Sequence, residues 1–475
     1  MSKLKENFND KKMTAVIILS CLGIVSMLAD IFSYKKALWY IVLAGVAGAI
    51  VANLNEKSNA IIYDMLLTDN YAIWFSTLIL ALVLLWFMVS KDQYESGVYN
   101  SSDNYALILF ATVGALILTS FSDLTMMFLG IEILSIPLFI LAGSNKKDVS
   151  SNEASLKYFL AGAFASGILL FGITFIYGST GTFKLDKIAD WANAAGSNLP
   201  ALFYTGILLV MVGLAFKVSA APFHFWTPDV YQGSPMFVTA FMATIVKGAA
   251  FAGFFRLFYT SFTSASGSWA LILSILIAAT ILTGNIIAVY QSSVKRMLAY
   301  SSIAQAGYIL LTVLLSNQEA KYALLLYIAS YGVSTITAFT VLYHVEKIKG
   351  TDTFESFTSL SQTHPLLSVV MTIAMLSLAG IPPTIGFFAK FYLFSSVLKS
   401  NTSYLWLIMV SVAGSLVSVY YYFRVIIAMY GQHEPIISSE KKQIPAFYNV
   451  LLLLLVCVII ILGMMPDVLM SIDNL

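Results

Sequence analysis

Long apolar runs alternate with short polar connections along almost the whole chain. A helical run of about twenty residues matches the hydrocarbon core of a bilayer. On that criterion the pattern predicts about fourteen membrane helices. They lie over residues 13–32, 36–54, 71–90, 105–121, 123–143, 154–178, 200–219, 235–260, 268–290, 297–316, 321–345, 365–398, 404–430 and 445–466. The longest polar stretches, 144–153, 184–198, 346–364 and 432–444, are too short to hold a separate soluble domain. Lys3, Lys5, Lys11 and Lys12 precede the first run. That run is longer than a signal-peptide core and lacks a small-residue cleavage site after it, so a retained first helix is expected.

Two spans are interrupted. The seventh reads Phe216-Lys217-Val218-Ser219-Ala220-Ala221-Pro222-Phe223-His224, and the twelfth contains Gly380-Ile381-Pro382-Pro383-Thr384-Ile385-Gly386. Proline frees carbonyls that protein or water must satisfy inside a membrane. Interrupted segments five helices apart predict two inverted five-helix repeats, helices 4–8 and 9–13, within an all-α integral membrane fold. The expected organisation is residues 1–104 for helices 1–3, 105–260 for the first repeat, 261–430 for the second, and 431–475 for the last helix.

Composition supports the membrane reading. The 475 residues are 59% hydrophobic and 11% charged, with a mean hydropathy of +0.85. Soluble domains carry roughly a quarter charged residues. A net charge of +2 without a basic run gives no nucleic-acid footprint. Cys21 and Cys457 lie in apolar stretches, and the chain has no Cys-x-x-Cys or Gly-x-Gly-x-x-Gly. Haem, iron–sulfur and dinucleotide ligands are therefore lacking, and any redox chemistry belongs to other subunits. Alternate loops differ in basic content: Lys146, Lys147, Lys295, Arg296, Lys347, Lys349, Lys441 and Lys442 fall on one side, whereas the other side has mainly Lys57, Lys184, Lys187, Arg256, Lys321 and Lys399. The positive-inside rule then places both termini outside the cytoplasm, against the pull of the basic N-terminal tail.

Four ionisable residues stand inside spans: Glu132, Lys217, Lys247 and Lys390. Each costs about 2.5–3.5 kcal/mol at a helix centre, so together they cost about 10 kcal/mol if unpaired. Lys217 has a bland reading as a snorkelling helix-end residue, and Glu132 as a structural partner. Lys247 has less room for one, being near mid-span in Thr244-Ile245-Val246-Lys247-Gly248-Ala249-Ala250. A proton relay suits these residue types. Lost hydration weakens a buried ammonium, and a nearby carboxylate restores it. A Glu132–Lys217 pair would act as the switch, with Lys247 the next acceptor and Lys390 the last. Further candidates to hold linking waters are His224, Tyr300, Tyr308 and His344, together with Ser135, Ser219 and Ser301; singly, such residues are more often packing residues.

The run Ala221-Pro222-Phe223-His224-Phe225-Trp226-Thr227-Pro228-Asp229-Val230-Tyr231-Gln232-Gly233-Ser234-Pro235 resembles the signature of antiporter-like subunits of respiratory complex I. Its Asp-Val-Tyr ending is similar to the subunit N branch, as are Lys157-Tyr158-Phe159-Leu160-Ala161-Gly162, Lys295-Arg296-Met297-Leu298-Ala299-Tyr300-Ser301-Ser302 and Ser377-Leu378-Ala379-Gly380-Ile381-Pro382-Pro383-Thr384. Lys390 sets the chain apart from subunit M, and the expectation of no lateral helix after span 14 sets it apart from subunit L. The resemblance implies a translocase subunit of a proton-pumping NADH:quinone oxidoreductase in the bacterial cytoplasmic membrane. It implies no redox centre here, with NADH, FMN, iron–sulfur clusters and quinone in other subunits. It implies neighbouring antiporter-like and small membrane subunits as partners. It also implies that Glu132 and Lys217 pair, that Lys247 is the central relay and that Lys390 faces the exit. Two rivals stay open: a subunit of a multisubunit sodium/proton antiporter, and a purely structural subunit whose buried charges only pack helices.

Overall fold

The computed structural model describes residues 13–32, 35–95, 98–196, 198–400, 402–431 and 444–466. The basic tail Lys3, Lys5, Lys11 and Lys12 and the pair Lys441 and Lys442 lie outside these residues. The chain is a helical bundle. Its elements are α1 Thr14–Leu28, α2 Lys35–Leu54, the strands β1 Ala60–Ile62 and β2 Leu66–Thr68, α3 Asn70–Glu95, α4 Ser101–Ser120, α5 Leu124–Ala142 and α6 Val149–Thr180. There follow α7 Leu185–Ala195, α8 Ala201–Val218, α9 Trp226–Gly233, α10 Met236–Ser261, α11 Ser266–Val289 and α12 Val294–Leu315. The last are α13 Gln318–Lys349, α14 Pro365–Ala379, α15 Ile385–Ser400, α16 Leu405–Tyr430 and α17 Ala446–Met464.

Twelve helices among the described residues are long and apolar enough to cross a membrane. The predicted first span is the 15-residue α1, and the predicted twelfth divides into α14 (15 residues) and α15 (16 residues). At 1.5 Å per residue a 15-residue helix reaches only about 22 Å, short of a hydrocarbon core of about 30 Å. Several helix starts are fixed by side-chain caps, with Asp123, Asp148, Ser293 and Asn317 accepting from backbone amides in the first turns of α5, α6, α12 and α13. α10 and α13 are buried throughout their apolar windows and form the centre, while α2 and α6 present apolar faces outward.

The stretch 184–198, expected to be polar loop, carries the amphipathic α7. It buries Leu185, Ile188 and Ala192 and exposes Asp186, Lys187 and Asp190, a spacing set by the helical period. β1 and β2 pair antiparallel, with Ile61 opposite Leu67. Bridges between Leu66 and Phe121 and between Asp123 and Lys184 tie this hairpin and the start of α7 to the same end of the bundle.

Two charges counted among the loops are in fact buried. Arg256 is 4% exposed and Lys295 is 7% exposed. Arg256 pairs with Asp69 at 2.5 Å, lies 4.9 Å from the Tyr71 ring, and has its Nε buried without a partner. Asp69 also caps α3 by accepting from the Ala72 amide at 2.8 Å. The pair therefore pins the start of α3 to the last turns of α10. Removing one member of a buried pair strands the other, at a cost of about 3 kcal/mol. Asp69→Ala is accordingly expected to lower the thermal midpoint of the purified protein in mild detergent, whereas Asp69→Glu retains most of it. An unchanged midpoint in the alanine variant would show that Arg256 finds its stabilisation elsewhere.

Candidate functional site

The seventh and twelfth spans break where predicted. α8 ends at Val218, and Ser219 takes a left-handed conformation (φ 64°) before the chain resumes as α9. α14 ends at Ala379, Gly380 follows at φ 85°, and α15 begins at Ile385. α10 carries a π-helical turn, Met242–Val246, directly before Lys247. Such a turn widens the helix and re-aims the residue that follows it.

Lys217 is 5% exposed, at the end of α8. Its Nζ donates to Ser135 Oγ at 2.7 Å and to the Tyr158 hydroxyl at 3.4 Å. Glu132 is half-buried and turns toward α6, where it accepts from Ser166 Oγ at 2.5 Å. The two groups interact electrostatically, but the expected direct Glu132–Lys217 ion pair does not form. Ser135, nearly one helical turn beyond Glu132, occupies the ammonium instead. Ser135, Ser166, Tyr158 and Lys217 share a narrow cavity of about 10 Å³, about the space of one water.

Lys247 is 2% exposed, and its Nζ donates to both the carbonyl and the Oγ of Ser302, each at 3.0 Å. The Tyr231 ring lies 5.7 Å from the ammonium, and the hydroxyls of Tyr231 and Tyr331 are buried without a hydrogen-bond partner among the described residues. Tyr331 also lines the cavity beside Lys390, together with Gln305, Tyr327, Ser330 and Ser377. There Tyr327 donates to Gln305 Oε1 at 2.5 Å, and Gln305 Nε2 donates to the Leu378 carbonyl at 3.0 Å and to Tyr422 at 3.2 Å. Lys390 donates to the Ala379 carbonyl at 2.9 Å, a carbonyl at the end of α14 that the break leaves free. These bonds offset the loss of hydration that makes an intramembrane ammonium costly.

The further candidates divide. Tyr308 belongs to the site: its ring lies 5.2 Å from Lys390, and its hydroxyl accepts from Asn285 at 3.1 Å. His224 lies in the break after α8, within electrostatic reach of Lys247. Tyr300 is half-buried beside Arg296, at 5.9 Å. His344 lies elsewhere, against Tyr448 (ring centroids 5.0 Å) and near Asp92, and its Nε2 has no partner. Of the hydroxyls, Ser219 accepts from Thr227 at 2.7 Å and Ser301 pairs with Tyr422. Among the described residues no group of three His, Cys, Asp or Glu side chains could hold a metal ion. Sequence reasoning missed Ser166, Ser302, Gln305, Tyr327 and Tyr422. Their only signal was polarity at helical spacing within apolar spans, as in Ser301, Ser302 and Gln305 of α12.

Buried lysines on interrupted helices of a multi-span bundle define an antiporter-like membrane subunit. Residues 122–418 match the family model described as NADH:quinone oxidoreductase/Mrp antiporter, transmembrane, and the chain belongs to that family. It is 44% identical to NADH-quinone oxidoreductase subunit N of Cytophaga hutchinsonii, over 97% of this chain and 99% of that one. The counterpart in Flavobacterium psychrophilum is 40% identical over 97% and 100%. Among solved structures, a chain of respiratory complex I from Thermus thermophilus with bound aureothin superposes with a TM-score of 0.77 at 30% identity, covering 96% of this chain and 98% of that one. A chain of the Mrp complex from Dietzia has a TM-score of 0.84 at 20% identity over 97% and 96%, a likeness of fold alone.

Gly380 tests the second break. A Cβ there would meet Lys390 Cδ at 2.8 Å, and the positive φ disfavours any L side chain. Gly380→Ala is expected to cost about 1–3 kcal/mol through strain and to push Lys390 off the Ala379 carbonyl. Gly48, inside α2 where an added Cβ would meet nothing within 4 Å, is the control; Gly48→Ala should leave the melting midpoint unchanged or slightly raised. Equal midpoints for the two variants would contradict the role of Gly380.

Proposed function

We propose that this chain is a proton-conducting subunit of a bacterial NADH:quinone oxidoreductase, with Glu132, Lys217, Lys247 and Lys390 as its relay. The observation that carries the reading is the placement of three buried ammonium groups. Each lies at a helix break or π turn, and each donates to a polar group inside the bundle rather than to lipid. A buried lysine with a weakly held charge can give up and regain a proton. Glu132 supplies the opposite charge near the first lysine, and Ser135 and Tyr158 supply the first hydroxyl contacts. Ser302, Tyr331 and Gln305 span the interval between Lys247 and Lys390. Full-length similarity to relatives named as subunit N supports this assignment.

On this reading NADH, FMN, iron–sulfur clusters and quinone are bound by other subunits, and this chain converts their chemistry into proton movement through electrostatic and conformational coupling. Neighbouring membrane subunits cover part of its apolar surface. Both termini face away from the cytoplasm of the cytoplasmic membrane, a reading that the excess of basic residues on one set of loops supports. The two five-helix units, 105–260 and 261–430, flanked by 1–104 and 431–475, are part of the same proposal. In their support, α4 and α5 approach closely at Gly114, and α11 and α12 do so at Gly284, at corresponding places in the two units.

Lys247→Ala removes the central group without placing a new charge. It is expected to cut NADH-driven proton uptake in membrane vesicles at least about tenfold, the scale of removing one positioned proton-transfer group. Glu132→Ala is expected to do so to a lesser degree. Both variants are compared at matched content of assembled complex. Normal uptake by an assembled Lys247→Ala complex would sink the relay.

A further inference from the structure

The short helix α9 touches the surroundings of both Lys217 and Lys247. At its start the Trp226 ring stacks on Tyr158, with centroids 4.7 Å apart and planes 11° apart. Tyr158 is the residue whose hydroxyl accepts from Lys217. Trp226 Nε1 also donates to the carbonyl of Phe216, the residue before Lys217, at 3.2 Å. Further along α9, Tyr231 places its ring 5.7 Å from the Lys247 ammonium. Asp229 and Tyr231 are two positions apart, with Val230 between them, so the helical turn directs them to opposite sides of α9. A shift of α9 therefore alters both lysine environments together.

Apart from packing, α9 is held by charges on its outer side. Asp229 Oδ2 accepts from Lys157 Nζ at 2.8 Å, and Asp229 Oδ1 accepts from Arg296 Nη1 at 3.0 Å. Arg296 also donates to Gln232 Oε1 at 2.6 Å. The buried Lys295 closes the C-terminus of α9 by donating to the carbonyls of Gln232 at 3.0 Å and Ser234 at 2.7 Å. Lys157 precedes Tyr158 on α6, so the ion pair and the Trp226–Tyr158 stack lie side by side. At the far end Gly233 lies against the Ser150 carbonyl with no room for a Cβ. Three points of contact thus fix α9 along α6, and only the middle one is ionic.

We propose that Asp229 is a positioning residue whose carboxylate latches α9 to α6 and α12, and that proton transfer between Lys217 and Lys247 depends on this latch. The proposal rests on the relay reading above. Burial alone raises the Asp229 carboxyl, but the hydrogen bonds from Lys157 and Arg296 outweigh it and hold the group below its ordinary range. A depressed carboxylate keeps its stabilising charge above the unfolded value and loses it only in acid. The latch is therefore charged across the neutral range. It is also partly exposed to solvent, so it can be released without dismantling the buried core.

The test uses the intact complex carrying Asp229→Asn, Asp229→Glu or Lys247→Ala, at matched assembly. Hydrogen exchange of the 226–233 amides and NADH-driven proton uptake are measured on the same samples. In Asp229→Asn, exchange across α9 is expected to rise at least about tenfold, as local opening becomes easier, and uptake to fall at least about fivefold. Asp229→Glu, which keeps the charge, is expected to restore both. Normal uptake in Asp229→Asn overturns the latch, as does lost uptake with unchanged exchange, or a glutamate variant that restores neither. If the asparagine variant does not assemble, the double variant Lys157→Gln/Arg296→Gln breaks both pairs from the other side and is judged by the same outcomes. Normal uptake in Lys247→Ala overturns the relay itself, which separates the two failures.

Discussion

An ammonium group inside a membrane must find its hydrogen-bond acceptors within the protein, and the layout of this chain follows from that demand. Apolar spans offer few free acceptors, because each regular helix already engages its own carbonyls once. The chain meets the demand with hydroxyls and with irregular backbone. Ser135 and Tyr158 receive Lys217, Ser302 receives Lys247, and the end of α14 receives Lys390. Irregular backbone is tolerated at membrane depth only when protein surrounds it. Here Ser219, Ala220, Ala221 and His224 of the first break and Thr384 of the second are buried, whereas Pro222, Phe225, Pro382 and Pro383 are exposed. The Ala221 amide donates to Thr280 of α11, and Gly463 of α17 packs against Pro383 and Thr384.

The same demand explains the π turn at 242–246. Lys247 lies on α10, which with α13 is fully enclosed over its apolar window. A regular helix there would offer the ammonium no spare carbonyl of its own, so its acceptors come from α12. One extra residue in the turn changes the direction in which Lys247 leaves the helix, and Ser302 supplies both a carbonyl and a hydroxyl to meet it. The Asp69–Arg256 pair anchors the other end of α10 and fixes the rotation that the π turn sets.

Much of this was legible in the sequence. Hydropathy marked the spans, proline marked both breaks, and thrift with charge singled out Glu132, Lys217, Lys247 and Lys390. Other parts were not, for physical reasons. A π turn changes no hydropathy, so nothing in Met242-Ala243-Thr244-Ile245-Val246 announces it. Arg256 and Lys295 lie near span ends, where a basic side chain usually snorkels outward; only their partners, Asp69 and the carbonyls of Gln232 and Ser234, reveal that they point inward. The amphipathic period of α7 was present in Leu185, Ile188 and Ala192, but a search for twenty-residue apolar runs passes over it. That Ser135 contacts Lys217 directly while Glu132 acts on it from a distance could not be read from helical spacing.

The two broken spans differ in a way that bears on direction. Lys217 precedes its break and donates to hydroxyls, which can both accept and pass on a proton. Lys390 follows its break and donates to a backbone carbonyl, which stabilises an ammonium but carries no proton onward. Under the relay reading this chemical difference separates a through-station from an end-station. A proton on Lys217 has hydroxyls of Ser135 and Tyr158 at hand, and Tyr158 stacks on the helix that also meets Lys247. A proton on Lys390 is held by the Ala379 carbonyl and leaves only when another acceptor reaches it. The asymmetry comes from where each lysine stands relative to its proline: Lys217 precedes the break and meets hydroxyls, whereas Lys390 follows it and meets the freed carbonyl.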